Sequence, residues 1–261
     1  MKVAVTGASG FIGQALVHAL RVAGHEALPD LSGAQALVHL AAIAHRRGVD
    51  ERELRRVNVD LAADAGRSAA AAGVPMLFMS SVKVHGEESD APLREISPIA
   101  PRDAYARSKA RAEEALRAIP GLRLIVLRPP LVYGPAVKAN FLALMRAIAR
   151  GMPLPLAGIE NRRSLIYVGN LCDAILACLG SPGKTYLVSD GAPVSTPQLC
   201  RAIGAALGRP ARLFRVPWVP GKALTRSLEV DDGAIRAELG WRPPFSVEEG
   251  LRLTAAWYRN R

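Results

Sequence analysis

The chain opens on an apolar run, Met1 to Val5, and then reads TGASGFIGQALVHAL, with glycines at 7, 10 and 13 and apolar positions three and four apart as far as Val22. That order predicts a strand, a glycine turn and an amphipathic helix. Two further apolar runs, residues 36–42 (ALVHLAA) and 75–81 (PMLFMSS), predict strands buried on both faces, as parallel strands between helices are. Residues 51–72 and 103–118 carry helical periodicity, and residues 122–130 (LRLIVLRPP) predict another buried strand. The alternation predicts an α/β fold: a Rossmann-like, doubly wound parallel sheet with right-handed crossovers.

Beyond Gly134 the texture changes. KANFLALMRAIARG predicts a helix, NRRSLIYVGNLCDAILACL a strand then a helix, and KTYLVSDG a short strand, with prolines and glycines denser than before. Residues 1–134 are expected to form the main sheet domain, with segments near 160–180 returning to it. Residues 135–261 are expected to form mainly a smaller lobe over the carboxyl ends of the strands, where open α/β sheets bind ligands.

Composition narrows the class. With 261 residues, half of them apolar, the chain suits one enzyme-sized globular unit with a sizeable core. The formal charge of +11 comes from dispersed arginines. Neither an aromatic-interleaved basic stripe nor a zinc-finger spacing accompanies it, so anionic metabolites are favoured over nucleic acid. Cys172, Cys178 and Cys200 form no CxxC and no cluster with histidine; neither a disulfide framework nor a metal site is predicted, and a reducing cytoplasm fits. No signal-like leader and no apolar run of about 18 residues is present, so no membrane insertion is expected.

Gly7, Gly10 and Gly13 stand where a strand feeds a helix. Such a turn needs glycine to bend, a backbone without Cβ lets a pyrophosphate approach, and the helix N-terminus offers unpaired N–H groups to it. A dinucleotide site is therefore predicted, for NAD or NADP. The acidic residue that would take the adenosine ribose is displaced: Asp30 is the only candidate near the end of the second strand, and capping the next turn is an equal reading for it. Only a short connection separates that strand from HLAA, so the adenosine side is expected to be cut short.

Tyr105 and Lys109 lie one turn apart and share a helix face. Ser80 and Ser81 end a strand at the mouth of the sheet. Ser81, Tyr105 and Lys109 together suit hydride transfer at a carbinol or carbonyl carbon: the serine holds the oxygen and the phenol exchanges its proton. A free phenol titrates near 10, so the lysine cation is expected to pull it down by about three units.

TGASGFIG, HLAA, SSVKVHG and YARSK, in this order, resemble the extended short-chain dehydrogenase/reductase family, the NAD-dependent epimerase/dehydratase group acting on nucleotide-linked sugars. SSVKVHGE, RPPLVYGPAVKANFL, NRRSLIYVGNLCDAI and LVSDGAPVSTPQL are most similar to bacterial UDP-sugar 4-keto reductases and 4-epimerases of lipopolysaccharide O-antigen pathways. The resemblance implies Tyr105 as acid/base, Lys109 as its activator and ribose ligand, and Ser81 as partner of the sugar 4-oxygen. It implies that Gly7, Gly10, Phe11, Ile12 and Gly13 hold the pyrophosphate. Ala41, Ala42 and Asn58 would line the path to the nicotinamide ribose, and Pro130, Leu131 and Val132 would flank the ring.

For a nucleotide-diphospho sugar, Asn140 and Arg163 are the implied diphosphate ligands, and Lys83 and His85 could touch the hexose. His85 stands where many relatives have tyrosine, and residues 216–232 are brief where relatives have additional helix. Reduction of a UDP-4-keto-6-deoxy-N-acetylhexosamine is the first functional expectation. A 4-epimerase with retained NAD is the alternative, and a non-catalytic dinucleotide sensor the second. A homodimer through the helices at 57–72 and 103–118 is also implied.

Overall fold

The computed structural model of the protein describes residues 1–44, 50–217 and 225–261. The first half contains β1 (Lys2–Thr6), α1 (Phe11–Val22), β2 (Glu26–Leu28), β3 (Ala36–His39), α2 (Glu51–Arg55), α3 (Leu61–Ala71), β4 (Met76–Met79), α4 (Ala104–Arg117), β5 (Leu124–Arg128) and β6 (Leu131–Tyr133). There follow α5 (Ala139–Ala149), β7 (Leu165–Tyr167), α6 (Val168–Cys178), β8 (Thr185–Leu187), α7 (Thr196–Leu207), α8 (Gly233–Leu239) and α9 (Val247–Arg259).

One parallel sheet runs in the order β2-β1-β3-β4-β5-β8, and β6 and β7 pair separately, also in parallel. Apart from the edge strand β2, its strands are largely buried on both faces. Val3, Val5, Val38, Leu77, Ile125 and Leu127 point into a core shared with α1, α6 and the C-terminal half. Ala4, Leu37, Met76, Phe78 and Val126 point the other way, under α3 and α4. Each large apolar side chain buried in this way stabilises the fold by roughly 1.5–3 kcal/mol before entropy is subtracted.

The strands are shorter than the apolar runs. β3 stops at His39 because the next residues turn to pack against the first glycine turn, and β5 stops at Arg128 because Pro129 and Pro130 cannot donate to a ladder. The helical stretch over residues 51–71 widens into a π-helical turn at Arg56–Asp60. The connection from β2 to β3 spans only residues 29–35, and among the described residues no strand lies beyond β2, so the sheet is short on this side. Asp30 closes a turn there, its Oδ1 accepting the Ser32 N–H at 2.8 Å.

In the second half, β7 pairs with β6 rather than the main sheet, α6 packs on α1, and β8 is the strand that rejoins, beside β5. Asp190 holds this junction: it accepts the Tyr133 hydroxyl at 2.9 Å, the Asn170 amide at 2.7 Å and the Tyr167 N–H. Capping boxes at Ser195/Gln198 and Ser246/Glu249 start α7 and α9. The segment 216–232, expected to be brief, lies partly outside the described residues. Cys172, Cys178 and Cys200 are buried and unpaired. Among the described residues no helix is long and apolar enough to cross a membrane.

Candidate active site

The break in strand order falls between β1 and β3, at the carboxyl edge where their loops diverge. Gly7 sits there at φ +73°, and a Cβ on it would lie 2.7 Å from the Ala41 nitrogen. A Cβ on Gly13 would run into the Gly7 carbonyl oxygen. The glycine turn and the HLAA segment are thus packed backbone to backbone.

Gly10 is the N-cap of α1 and gives it no side-chain cap; the first intrahelical bond runs from the Gln14 N–H to the Gly10 carbonyl at 2.9 Å. The N–H groups of Phe11, Ile12 and Gly13 are left for an outside acceptor at the positive end of the helix. A pyrophosphate fits this cradle, being anionic, rich in acceptors and in need of a Cβ-free approach. Ala41 and Ala42 are half-buried beside it.

Ser81 and Tyr105 meet across the next gap in the sheet. Ser81 follows β4 and caps the 3₁₀ turn Val82–His85, its Oγ accepting the Lys83 N–H at 3.3 Å. That leaves the serine proton available, and Ser81 favours the ionised form of the Tyr105 phenol. Tyr105 is half-buried on the first turn of α4. Burial pushes its phenol up to about 12, the Asp103 charge adds to this, and the Ser81 hydrogen bond opposes both.

Lys109 departs from expectation. Its side chain is 2% exposed. Nζ donates to the Met79 carbonyl at 2.7 Å and stands 4.5 Å over the Phe78 ring. Burial draws its ammonium down to about 7, against the pull of the Glu113 carboxylate. The expected lowering of the phenol by a lysine cation is therefore not what the structure holds: the charge that bears on Tyr105 is the Asp103 carboxylate, of the opposite sign.

Two further expectations, for Asn58 and His85, meet buried side chains, and a third, for Lys83, meets a half-exposed, ion-paired one. Asn58 was expected to line a ligand path, yet it is fully buried on the π-helical turn, and its amide is consumed by Ile43 N–H (2.8 Å), Ile43 carbonyl (3.1 Å) and Ser108 Oγ (2.9 Å). Ser108 Oγ donates in turn to the Tyr105 carbonyl at 2.7 Å, so Asn58 braces the HLAA loop against the tyrosine helix. His85 was expected at the hexose; it is 6% exposed, with Nδ1 3.1 Å from the Pro98 carbonyl and Nε2 3.0 Å from Arg128 Nη1. Burial pulls its proton affinity down, which keeps the ring neutral between a carbonyl acceptor and a guanidinium donor. Lys83 is not a free cation: it binds Asp103 Oδ2 at 2.7 Å and Glu87 Oε1 at 3.4 Å.

Around the mouth, Leu131 is 40% exposed, with Val132 half-buried beside it and Pro130 buried. Arg163 is half-buried and donates to the Arg226 carbonyl at 2.9 Å; burial draws its guanidinium down, and the Glu87 charge opposes this. Arg162, by contrast, lies at the surface in a two-point pair with Glu229. Asn140 is exposed on the first turn of α5, just after Ala136 and Ala139, both of which have positive φ. Asn140 and Arg163 are thus carried by separate elements.

Several residues that hold the site carried no sequence signal as ligands. Glu113, one turn beyond Lys109, binds Arg128 through two bonds (3.0 and 2.6 Å) and accepts from Ser80 Oγ at 2.5 Å. This buried network ties α4 to the ends of β4 and β5. His39 Nδ1 lies 2.9 Å from Thr6 Oγ1, while Nε2 is buried without a hydrogen-bond partner among the described residues. Burial, with the Lys109 charge behind it, lowers the His39 ring to about 4. Among the described residues no group of His, Cys, Asp and Glu could hold a metal ion.

The comparisons with known proteins agree with this architecture. The model of the "NAD dependent epimerase/dehydratase family" matches residues 27–188. A UDP-glucose 4-epimerase of Vibrio cholerae is 37% identical over 252 residues, covering 86% of this chain and 77% of its own length. The structure of UDP-glucose 4-epimerase from Thermus thermophilus in complex with NAD aligns with a TM-score of 0.82 at 26% identity, over 99% of both chains. RMD from Pseudomonas aeruginosa, complexed with NADPH, aligns with a TM-score of 0.86 at 23% identity over 100% of this chain and 98% of its own, a likeness of fold.

Proposed function

We propose that this chain, which belongs to the NAD-dependent epimerase/dehydratase family, is an NAD(P)-dependent enzyme acting at C4 of a nucleotide-diphospho sugar, and that it is a 4-epimerase. The observation that carries the proposal is that Ser81, at the end of β4, and Tyr105, on the first turn of α4, are near enough for the serine to favour the ionised phenol, while α1 starts on Gly10 without a side-chain cap. Two of the three relatives reported above are 4-epimerases, which favours this alternative over the 4-keto reductase placed first on sequence grounds. A dinucleotide sensor would have no use for a serine hydroxyl aligned on a tyrosine.

Bound NAD(P) supplies the hydride acceptor and donor, and in its oxidised form a positive charge. The residues of the chain do the rest. Phe11, Ile12 and Gly13 bind the pyrophosphate through their backbone N–H groups, and Leu131 and Val132 flank the ring. As its phenolate, Tyr105 would take the proton of the 4-hydroxyl and give it back to the same oxygen in the epimer. Ser81 holds the same oxygen throughout. Arg163 and Asn140 bind the diphosphate, a guanidinium fork being suited to phosphate oxygens. Lys109, buried against Met79, fixes the helix face from which Tyr105 projects. A homodimer through α3 and α4 belongs to the same proposal; light scattering on the purified protein checks it, and a monomer at micromolar concentration contradicts it.

The test is a panel of UDP-hexoses and UDP-N-acetylhexosamines incubated with the protein and NAD(P), with the sugars separated and the reduced nicotinamide followed by absorbance. Interconversion of C4 epimers without net change in reduced nicotinamide is expected. Stoichiometric consumption of reduced nicotinamide with a 4-keto sugar would replace the epimerase with the reductase, and no turnover of any sugar despite cofactor binding would replace it with the sensor.

A further inference from the structure

An ion pair crosses the mouth between the two elements that carry Ser81 and Tyr105. Asp103 caps α4, its Oδ1 accepting the Ala106 N–H at 2.6 Å, and its Oδ2 takes Lys83 Nζ at 2.7 Å. Lys83 stands two residues after Ser81 on the 3₁₀ turn and also reaches Glu87 at 3.4 Å. A serine or asparagine would cap the helix as well as aspartate does. The carboxylate thus brings something that capping does not require, a negative charge two residues ahead of the phenol.

The surrounding charges show how that charge is managed. Burial would raise the Asp103 carboxyl, but the Lys83 and Ala106 hydrogen bonds and the Lys83 and Arg107 charges outweigh it, so the group stays ionised. Burial would lower Lys83, and Asp103 and Glu87 outweigh that in turn. From α4 itself Arg107 faces Asp103, and Lys109, turned inward to Met79, makes no bond to it. From the loop after the serine turn comes Glu87, whose charge also reaches Arg163 on the approach to β7. Ser81 is the polar group that opposes Asp103 at the phenol.

We propose that Lys83 and Asp103 are a positioning pair for the proton step at Tyr105: by holding the Asp103 carboxylate, Lys83 fixes how much negative charge the phenol meets and hence the pH range in which it releases its proton. The proposal rests on the reading of Tyr105 as the group that exchanges the proton of the sugar 4-oxygen. Asp103→Asn keeps the helix cap and removes the charge, so the phenol ionises at lower pH. Lys83→Met leaves the carboxylate uncompensated, so the phenol ionises at higher pH. With both changes the lysine has no partner to screen, and the double variant falls close to Asp103→Asn.

The experiment is the pH profile of kcat/KM for epimerisation in the wild type, both single variants and the double. The rising limb is expected to move down by roughly one pH unit in Asp103→Asn and up by a similar amount in Lys83→Met. A pair that merely ties two elements together would lower the rate at every pH and leave the limb in place, which would overturn the proposal. Titration of the Tyr105 signal by NMR in carbon-13-tyrosine-labelled protein, assigned with Tyr105→Phe, reads the same shifts without turnover. Shifts there in a protein that converts no sugar uphold the pair and sink the epimerase; an epimerase whose Tyr105 signal and pH limb both stay put sinks the pair and leaves the epimerase standing.

Discussion

α1 and α4 both begin at the carboxyl edge of the sheet, α1 at Gly10 with no side-chain cap and α4 at Asp103 with a carboxylate cap that also binds Lys83. Both helices have the same backbone dipole, positive at the start. α1 leaves its first N–H groups and its positive end without a side-chain cap, as the proposed dinucleotide site requires. In α4 the corresponding demand is met from within, and what the helix presents to a ligand is a side chain, Tyr105. A helix start can therefore be a binding site or a platform, and the residue at the cap decides which.

The most severe way to break this comparison is to give α1 the cap of α4. In Gly10→Asp a carboxylate would accept α1's own N–H groups and place negative charge where the pyrophosphate goes. Calorimetric titration should show NAD(P) binding weakened by about a hundredfold or more, a figure reached by adding charge repulsion to the loss of two or three charge-assisted hydrogen bonds. Binding within a factor of two of wild type would mean that α1 does not hold the dinucleotide.

A second test concerns the buried groups beneath the two helix starts. Lys109 titrates near 7 in the fold against 10.5 as its ordinary value. Between these values the unfolded chain binds more protons, so stability rises with pH across that window, by on the order of 4 kcal/mol at its far end. Denaturant melts should show the wild type gaining on Lys109→Met from neutral pH upward; a constant gap contradicts the burial of the charge. His39 acts at the acid end. Its fold value of about 4 lies below the ordinary 6.5. Its contribution is present above 6.5 and is lost as pH falls toward 4, on the order of 3 kcal/mol, a loss that His39→Gln should not show.

The smallest effect sharpens the comparison from the α4 side. Asp103→Ala should cost about 1 kcal/mol of stability through the lost cap, and Asp103→Asn only a few tenths. Equal losses in thermal melts would mean that the ion pair with Lys83, not the cap, carries the stability of this helix start.

Much of the fold was legible because its signals are local. Apolar runs at residues 1–5, 36–42, 75–81 and 122–130 marked the strands, since strands buried on both faces need no polar alternation. Glycines at 7, 10 and 13 marked the turn, and Gly7 and Gly13 are needed there for the backbone to pass close to other backbone. The places of Ser81 at a strand end and of Tyr105 and Lys109 one turn apart on a helix were likewise legible. Their electrostatics were not, because burial is a tertiary property: nothing within YARSK shows that Lys109 turns under β4 to Met79.

The same reason explains the residues read as ligand-facing that face inward. Asn58 meets Ser108 fifty residues away, and His85 meets Arg128 forty-three away. Such pairings leave no periodic trace in either segment. Glu113 did have a faint one, standing one turn beyond Lys109 on the same helix face, but its partner Arg128 closes the network from another strand. Asp103 could have been found from its position alone, as a polar residue just ahead of a helical run.

At the centre of the proposed chemistry, hydrogen leaves C4 and returns to it while Tyr105 handles the proton. A UDP-hexose deuterated at C4, incubated with the wild type and with Tyr105→Phe, tests this most directly by mass spectrometry and NMR of the sugar products. The epimer made by the wild type is expected to keep its deuterium at C4, and the variant, still binding NAD(P), to make it roughly a thousandfold more slowly. Deuterium lost to water or left in released nicotinamide, or undiminished turnover by the variant, would contradict it.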